Sequence, residues 1–127
     1  MKKLLILLFS ILILPLSVNA SDVYYCSDDD HIGYRVIENF EVKSFPDRKF
    51  KIKIDFKNLD VESDKIFMTI LKECVFNTYT NSLMCISKYG TTFAINKDTL
   101  RFARSEMYTQ KIPNDDYTLA YGTCEKF

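Results

Sequence analysis

The stretch Lys49-Phe50-Lys51-Ile52-Lys53-Ile54-Asp55-Phe56-Lys57 alternates charged and apolar residues without a fault over nine positions. A period of two puts the apolar side chains on one face and the charges on the other. That is the pattern of a half-buried antiparallel strand. Working outward, composition marks further short strands at Val23–Cys26, Gly33–Ile37, Leu83–Ser87, Thr91–Ile95, Leu100–Ser105 and Tyr117–Cys124. Turn-forming residues separate them at Ser27–Asp30, Pro46-Asp47, Tyr89-Gly90, Asn96–Asp98 and Pro113–Asp116. Seven to eight short strands at this spacing predict a mainly β fold: a small antiparallel up-and-down β-barrel or a β-sandwich.

One segment reads two ways. Ile66, Phe67, Ile70, Leu71, Cys74 and Val75 share a helical face, with Asp60 or Ser63 as a cap, so a short helix near residues 63–75 is one expectation. The same run is a strand through Ile66, Met68 and Ile70, which the cysteine spacing below favours.

The first twenty residues have the three parts of a secretory signal. Lys2 and Lys3 form the basic end, Leu4–Leu14 the apolar run, and Val18-Asn19-Ala20 the cleavage site, so residues 1–20 are expected to be removed. The apolar run falls short of the ~20 residues a spanning helix needs. Residues 21–127 then form a single disulfide-stapled β domain, periplasmic or secreted, monomeric and without a transmembrane span. Without Lys2 and Lys3 the exported part has two fewer basic residues than its seventeen acids. That near balance argues against nucleic acid as a partner, because such binding rests on a basic surface.

Cys26, Cys74, Cys85 and Cys124 all lie in the exported part, and an even count there reads as a disulfide framework. Three pairings are possible. If the polar stretch Asn77–Asn81 turns a hairpin, Cys74 and Cys85 fall opposite one another on one face, which leaves Cys26 to join Cys124. No two cysteines have the C-x-x-C spacing of zinc or redox sites.

Catalytic signatures fail on inspection. Asp28-Asp29-Asp30-His31 fits a calcium loop only in part: Ile32 occupies a ligand position and Asn39 stands where a glutamate is needed. A solvated turn is the reading adopted. His31 is the only histidine, too few for a zinc site and a poor start for a Ser or Cys hydrolase. No cofactor and no metal is expected. The lysine stripe Lys49, Lys51, Lys53 and Lys57 is a one-sided basic face, either a solvated edge or a contact for an anionic partner. Arg104 shares strand parity with Leu100 and Phe102, which points it inward or to the rim; inward, it is a candidate anchor for an anionic group. Of ten Phe and eight Tyr residues only Phe9 lies in the leader, and the rest can fill a core or line a cavity.

Tyr25-Cys26 near the mature start, the alternating strands and Cys124 near the end resemble the small periplasmic inhibitors of C-type lysozyme. The resemblance implies an eight-stranded barrel closed by a terminal disulfide. The inhibitors' serine-glycine pair followed by tyrosine is absent, and Ser87-Lys88-Tyr89-Gly90 carries those residue types in another order. Fold alone does not carry function. The functional expectation is therefore a non-enzymatic exported binding or interaction protein, whose partner is a protein, a glycan or an apolar ligand. Its alternatives are a carrier with an aromatic-lined cavity, a small carboxylate-based hydrolase, and a subunit of an envelope assembly.

Overall fold

The computed structural model describes residues 21–35, 38–63, 72–107 and 116–127. The expected signal segment 1–20 lies outside the described residues, as do 64–71 of the ambiguous run, Val36-Ile37 and Pro113–Asp115. The chain forms β1 (Asp22–Arg35), β2 (Glu41–Ser44), β3 (Lys49–Asp55), β4 (Asp60–Glu62) and β5 (Lys72–Asn77). It continues through β6 (Ser82–Ser87), β7 (Thr91–Asn96), β8 (Arg101–Glu106) and β9 (Tyr117–Lys126). All pairings are antiparallel, and the order β4-β3-β1-β9-β8-β7-β6-β5 curls into a nearly closed barrel. The mainly β expectation holds. Cys74 and Val75 lie in β5, so the helical alternative fails for that part of the run.

The interior shows why period two dominates. Phe50, Ile52 and Ile54 of β3 point inward with Leu83, Phe93, Ile95 and Phe102, around the Cys26–Cys124 disulfide. Cys74 pairs with Cys85 directly across β5 and β6, as the hairpin argument requires. Both disulfides fit an oxidising extracellular or periplasmic environment.

Three hairpins use one turn design. Asp55, Asn77 and Asn96 each accept backbone N–H groups two and three residues ahead. The fourth residue ahead then adopts a left-handed conformation: Leu59 at φ 55°, Asn81 at 52° and Leu100 at 55°. β3 therefore stops at Asp55, and Lys57 sits in a turn although the alternation runs through it. Hydrogen bonds from Asn58, through its backbone N–H and then its side-chain amide, hold the Asp55 carboxyl below the usual aspartate value, and Lys57 adds to this. The sign follows: the turn's contribution is complete above the unfolded-chain pKa and is lost as pH falls through the lower folded value. Carboxyl-carbon NMR should show Asp55 titrating below an unfolded-chain aspartate, and Asp55→Ala should remove that part of the acid dependence of stability. A normal Asp55 midpoint would refute the capped turn.

The Ser27–Asp30 turn expected from the aspartate run does not exist; those residues continue β1, a strand of 14 residues. An extra residue at Asp29 shifts the β1–β9 register between Asp28 and Asp30, which is a β-bulge. The bulge turns both Asp28 and His31, three residues apart, into the interior. Opposite it, the returning chain breaks at Phe45–Arg48 between β2 and β3. Two main-chain bonds persist there, from Asp28 N–H to the Arg48 carbonyl at 2.9 Å and from Phe45 N–H to the His31 carbonyl at 2.7 Å, and side chains add to them. The Arg48 N–H donates to Asp28 Oδ2 at 2.8 Å, and the Pro46 carbonyl accepts from His31 Nδ1 at 2.9 Å.

Candidate functional site

Arg104 does face inward, at 1 % exposure, but it is not free to hold a ligand. Its Nε and Nη2 donate to the two oxygens of Asp28 at 3.2 and 2.6 Å, a bidentate pair inside the barrel. Its Nη1 reaches Glu106 Oε1 at 3.3 Å, and the same oxygen accepts from Arg48 Nη1 at 2.6 Å. His31 lies against this cluster, with Nδ1 4.0 Å from Asp28 Oδ2 and its ring 5.3 Å from that of Phe45. Because a carbonyl only accepts, Nδ1 carries the proton toward Pro46. Nε2 is buried without a hydrogen-bond partner among the described residues. Asp28, alone of the three aspartates, thus fastens the bulge to β8. No group of three or more His, Cys, Asp or Glu residues placed to hold a metal occurs among the described residues.

The lysine stripe divides. Lys49, Lys51 and Lys53 lie exposed on the outer face of β3, and Lys57 is exposed in the following turn. Lys53 meets Glu62 at 3.7 Å. Lys49 and Lys51 instead border a groove of about 580 Å³ over β3, β1 and β9, together with Tyr25, Ser27, Thr123 and Glu125.

The larger outer feature was missed in the sequence because it arises from register. Across the ladders, Val75, Met84, Ala94, Ala103 and Tyr121 align in one row from β5 to β9. In the adjacent outward row, Ile86, Thr92, Ser105, Leu119 and Ile32 align from β6 to β1. None of the ten carries a charge. Asp30 ends the first row and Glu73 the second. The centre is low, formed by Ala94, Ala103 and a Thr92–Ser105 hydroxyl pair bonded at 2.6 Å. Large apolar side chains flank it: Met84 and Ile86 on one side, Leu119 and Tyr121 on the other, each about half exposed. At the β1 end the band opens into a hollow of about 310 Å³, whose apolar lining includes Ile32, Tyr34, Val42, Met107 and Leu119.

No family model, curated protein or solved structure matches this chain. The site must be read from its own chemistry. A sheet face that exposes ten uncharged residues in register, with a low centre and raised apolar flanks, is suited to holding a complementary protein surface.

Proposed function

We propose that this is a non-enzymatic exported interaction protein that binds a partner protein through the uncharged outer band of β5–β9 and β1. The observation that carries this reading is the alignment of two outward rows without a charge across the barrel. A solvated barrel has no need of such a surface, since outward positions on a half-wet sheet are ordinarily polar. The small central residues let a partner's backbone approach, and the flanking Met84, Ile86, Leu119 and Tyr121 supply apolar area. The hollow beside Ile32 and Leu119 accepts a protruding apolar side chain of the partner. Two further features favour binding over the alternatives. Asp28 and Glu106, the acids that converge inside, are both engaged by Arg104, so neither is placed to act as a proton donor. The aromatic rings of Phe50, Phe93 and Phe102 pack on one another and fill the interior that a carrier would need open.

The test uses the protein in its own host, with a photo-crosslinking residue at Ala103 and, as a control, at Thr99 in the β7–β8 turn. Discrete crosslinks to another protein are expected from position 103 and not from 99. The I86R/L119R double variant should abolish them while shifting the unfolding free energy by no more than about 0.5 kcal/mol per site, since both side chains face out. Equal crosslinking from both positions, or crosslinks that survive the double variant, would exclude the band as the binding surface.

A further inference from the structure

The groove over β3, β1 and β9 presents a different chemistry from the band. Tyr25 stands on the outer face of β1 between Lys51 and Glu125, and Ser27 stands between Lys49 and Thr123. Arg101, exposed on β8, lies beyond Thr123 and extends that row. The Tyr25 ring is half exposed, and Phe127 braces it edge-on with ring centroids 5.5 Å apart.

The charges around this groove are unevenly satisfied. On the same end of the barrel, Lys53 has Glu62 at 3.7 Å and Lys126 has Asp22 at 2.8 Å. Lys49, Lys51 and Arg101 have no carboxylate within 4.0 Å among the described residues. Lys57, Lys88 and Lys97 are likewise exposed without one among the described residues, but only Lys49 and Lys51 line the groove, with Arg101 extending its row. Lys49, Lys51 and Arg101 alternate there with hydroxyls and with the face of an aromatic ring.

We propose that this groove binds an acidic polysaccharide. A sugar ring lies on Tyr25, whose electron-rich face attracts the ring's C–H edges. The hydroxyls of Ser27 and Thr123 hydrogen-bond to the sugar, and Lys49, Lys51 and Arg101 pair with its carboxylate or sulfate groups. An acidic peptide is a poorer fit, because β1 is paired with both β3 and β9 here and leaves no backbone edge for strand addition. An anionic bilayer is also a poorer fit, because Glu125, Glu62 and Asp22 share this end of the barrel and would face the headgroups.

Fluorescence anisotropy of the oxidised protein tests this with labelled oligosaccharides of two acidic types, sulfated heparin fragments and oligogalacturonate. Dextran, polyglutamate and phosphatidylglycerol vesicles are the comparisons. Both acidic oligosaccharides should bind, more weakly as salt rises, and dextran should not. K49Q/K51Q should weaken binding about tenfold, in line with two exposed charge contacts. Tyr25→Ala should weaken it at least about fivefold, and Glu125→Gln should tighten it about twofold, by removing the aromatic face and the one acid of the groove respectively. All these side chains face outward, so unchanged unfolding midpoints will show that the fold is retained. Absence of binding would overturn the proposal. So would equal affinity for polyglutamate or vesicles, or a Tyr25→Ala variant that binds like the parent, since bare charge would then suffice.

Discussion

Arg104→Met is expected to destabilise the protein by about 3–5 kcal/mol, the usual cost of stranding one member of a buried ion pair. The geometry explains the size of the effect. Asp28 and Arg104 are both almost wholly buried and share two hydrogen bonds, and the Arg48 N–H alone would remain to Asp28. Methionine fills much of the arginine's volume, so the loss reports an unpaired buried carboxylate rather than a hole. Glu106 would still accept from Arg48. Against the 5–15 kcal/mol that holds a domain of this size, such a loss approaches unfolding. Urea denaturation of the parent, of R104M and of D28N/R104M decides the matter. The double variant removes the stranded charge while keeping an acceptor for Arg48, so it should be more stable than R104M alone. If it is equally or less stable, the cluster is not an ion pair in the energetic sense.

The second large effect separates the two disulfides. Cys26 and Cys124 are 98 residues apart in sequence, whereas Cys74 and Cys85 are 11 apart. In the chain-entropy model the long closure is worth about 4–5 kcal/mol and the short one about 3 kcal/mol. C26A/C124A should therefore lose more stability than C74A/C85A, by about 2 kcal/mol on the same model, when urea midpoints and slopes are compared. The prediction carries a structural check. Cys26 and Cys124 already face each other across the β1–β9 ladder, so the bond is made between neighbours that the sheet itself aligns. Equal losses, or a larger loss from the hairpin disulfide, would mean that the cross-link acts on the native state rather than on the unfolded chain.

Features written into local alternation and spacing were legible in the sequence. Lys49–Asp55 is a strand because its period leaves no other economical burial, and the cysteine pairing followed from one hairpin. Asp28 was illegible for the opposite reason. A run of three aspartates is the local signature of a solvated loop, and only partners distant in sequence, Arg104 76 residues away and the Arg48 N–H 20 away, make a buried aspartate acceptable. The bulge that swings Asp28 and His31 to the same side has no local mark either, since it is defined by register against β9. Strand parity left Arg104 inward or at the rim; it is inward and paired with Asp28, a partner that parity could not name. The uncharged band escaped notice for a related reason: Met84, Ala103 and Leu119 are scattered singly along the chain. Only the ladder sets them side by side.

The placement of β1 has a consequence for how the protein is made. The first strand of the domain sits in the middle of the sheet, with β3 on one side and the last strand, β9, on the other. While a ribosome still holds residues 117–126, β1 lacks its β9 neighbour and Cys26 has no Cys124 to meet. Until those residues are free to pair, the sheet lacks the β1–β9 ladder that joins its two halves. Throughout that interval the Cys26 thiol stays open to exchange with other thiols and disulfides. The pairing of β1 with β9 thus makes the sheet's central ladder and its longest cross-link late contacts of high sequence separation.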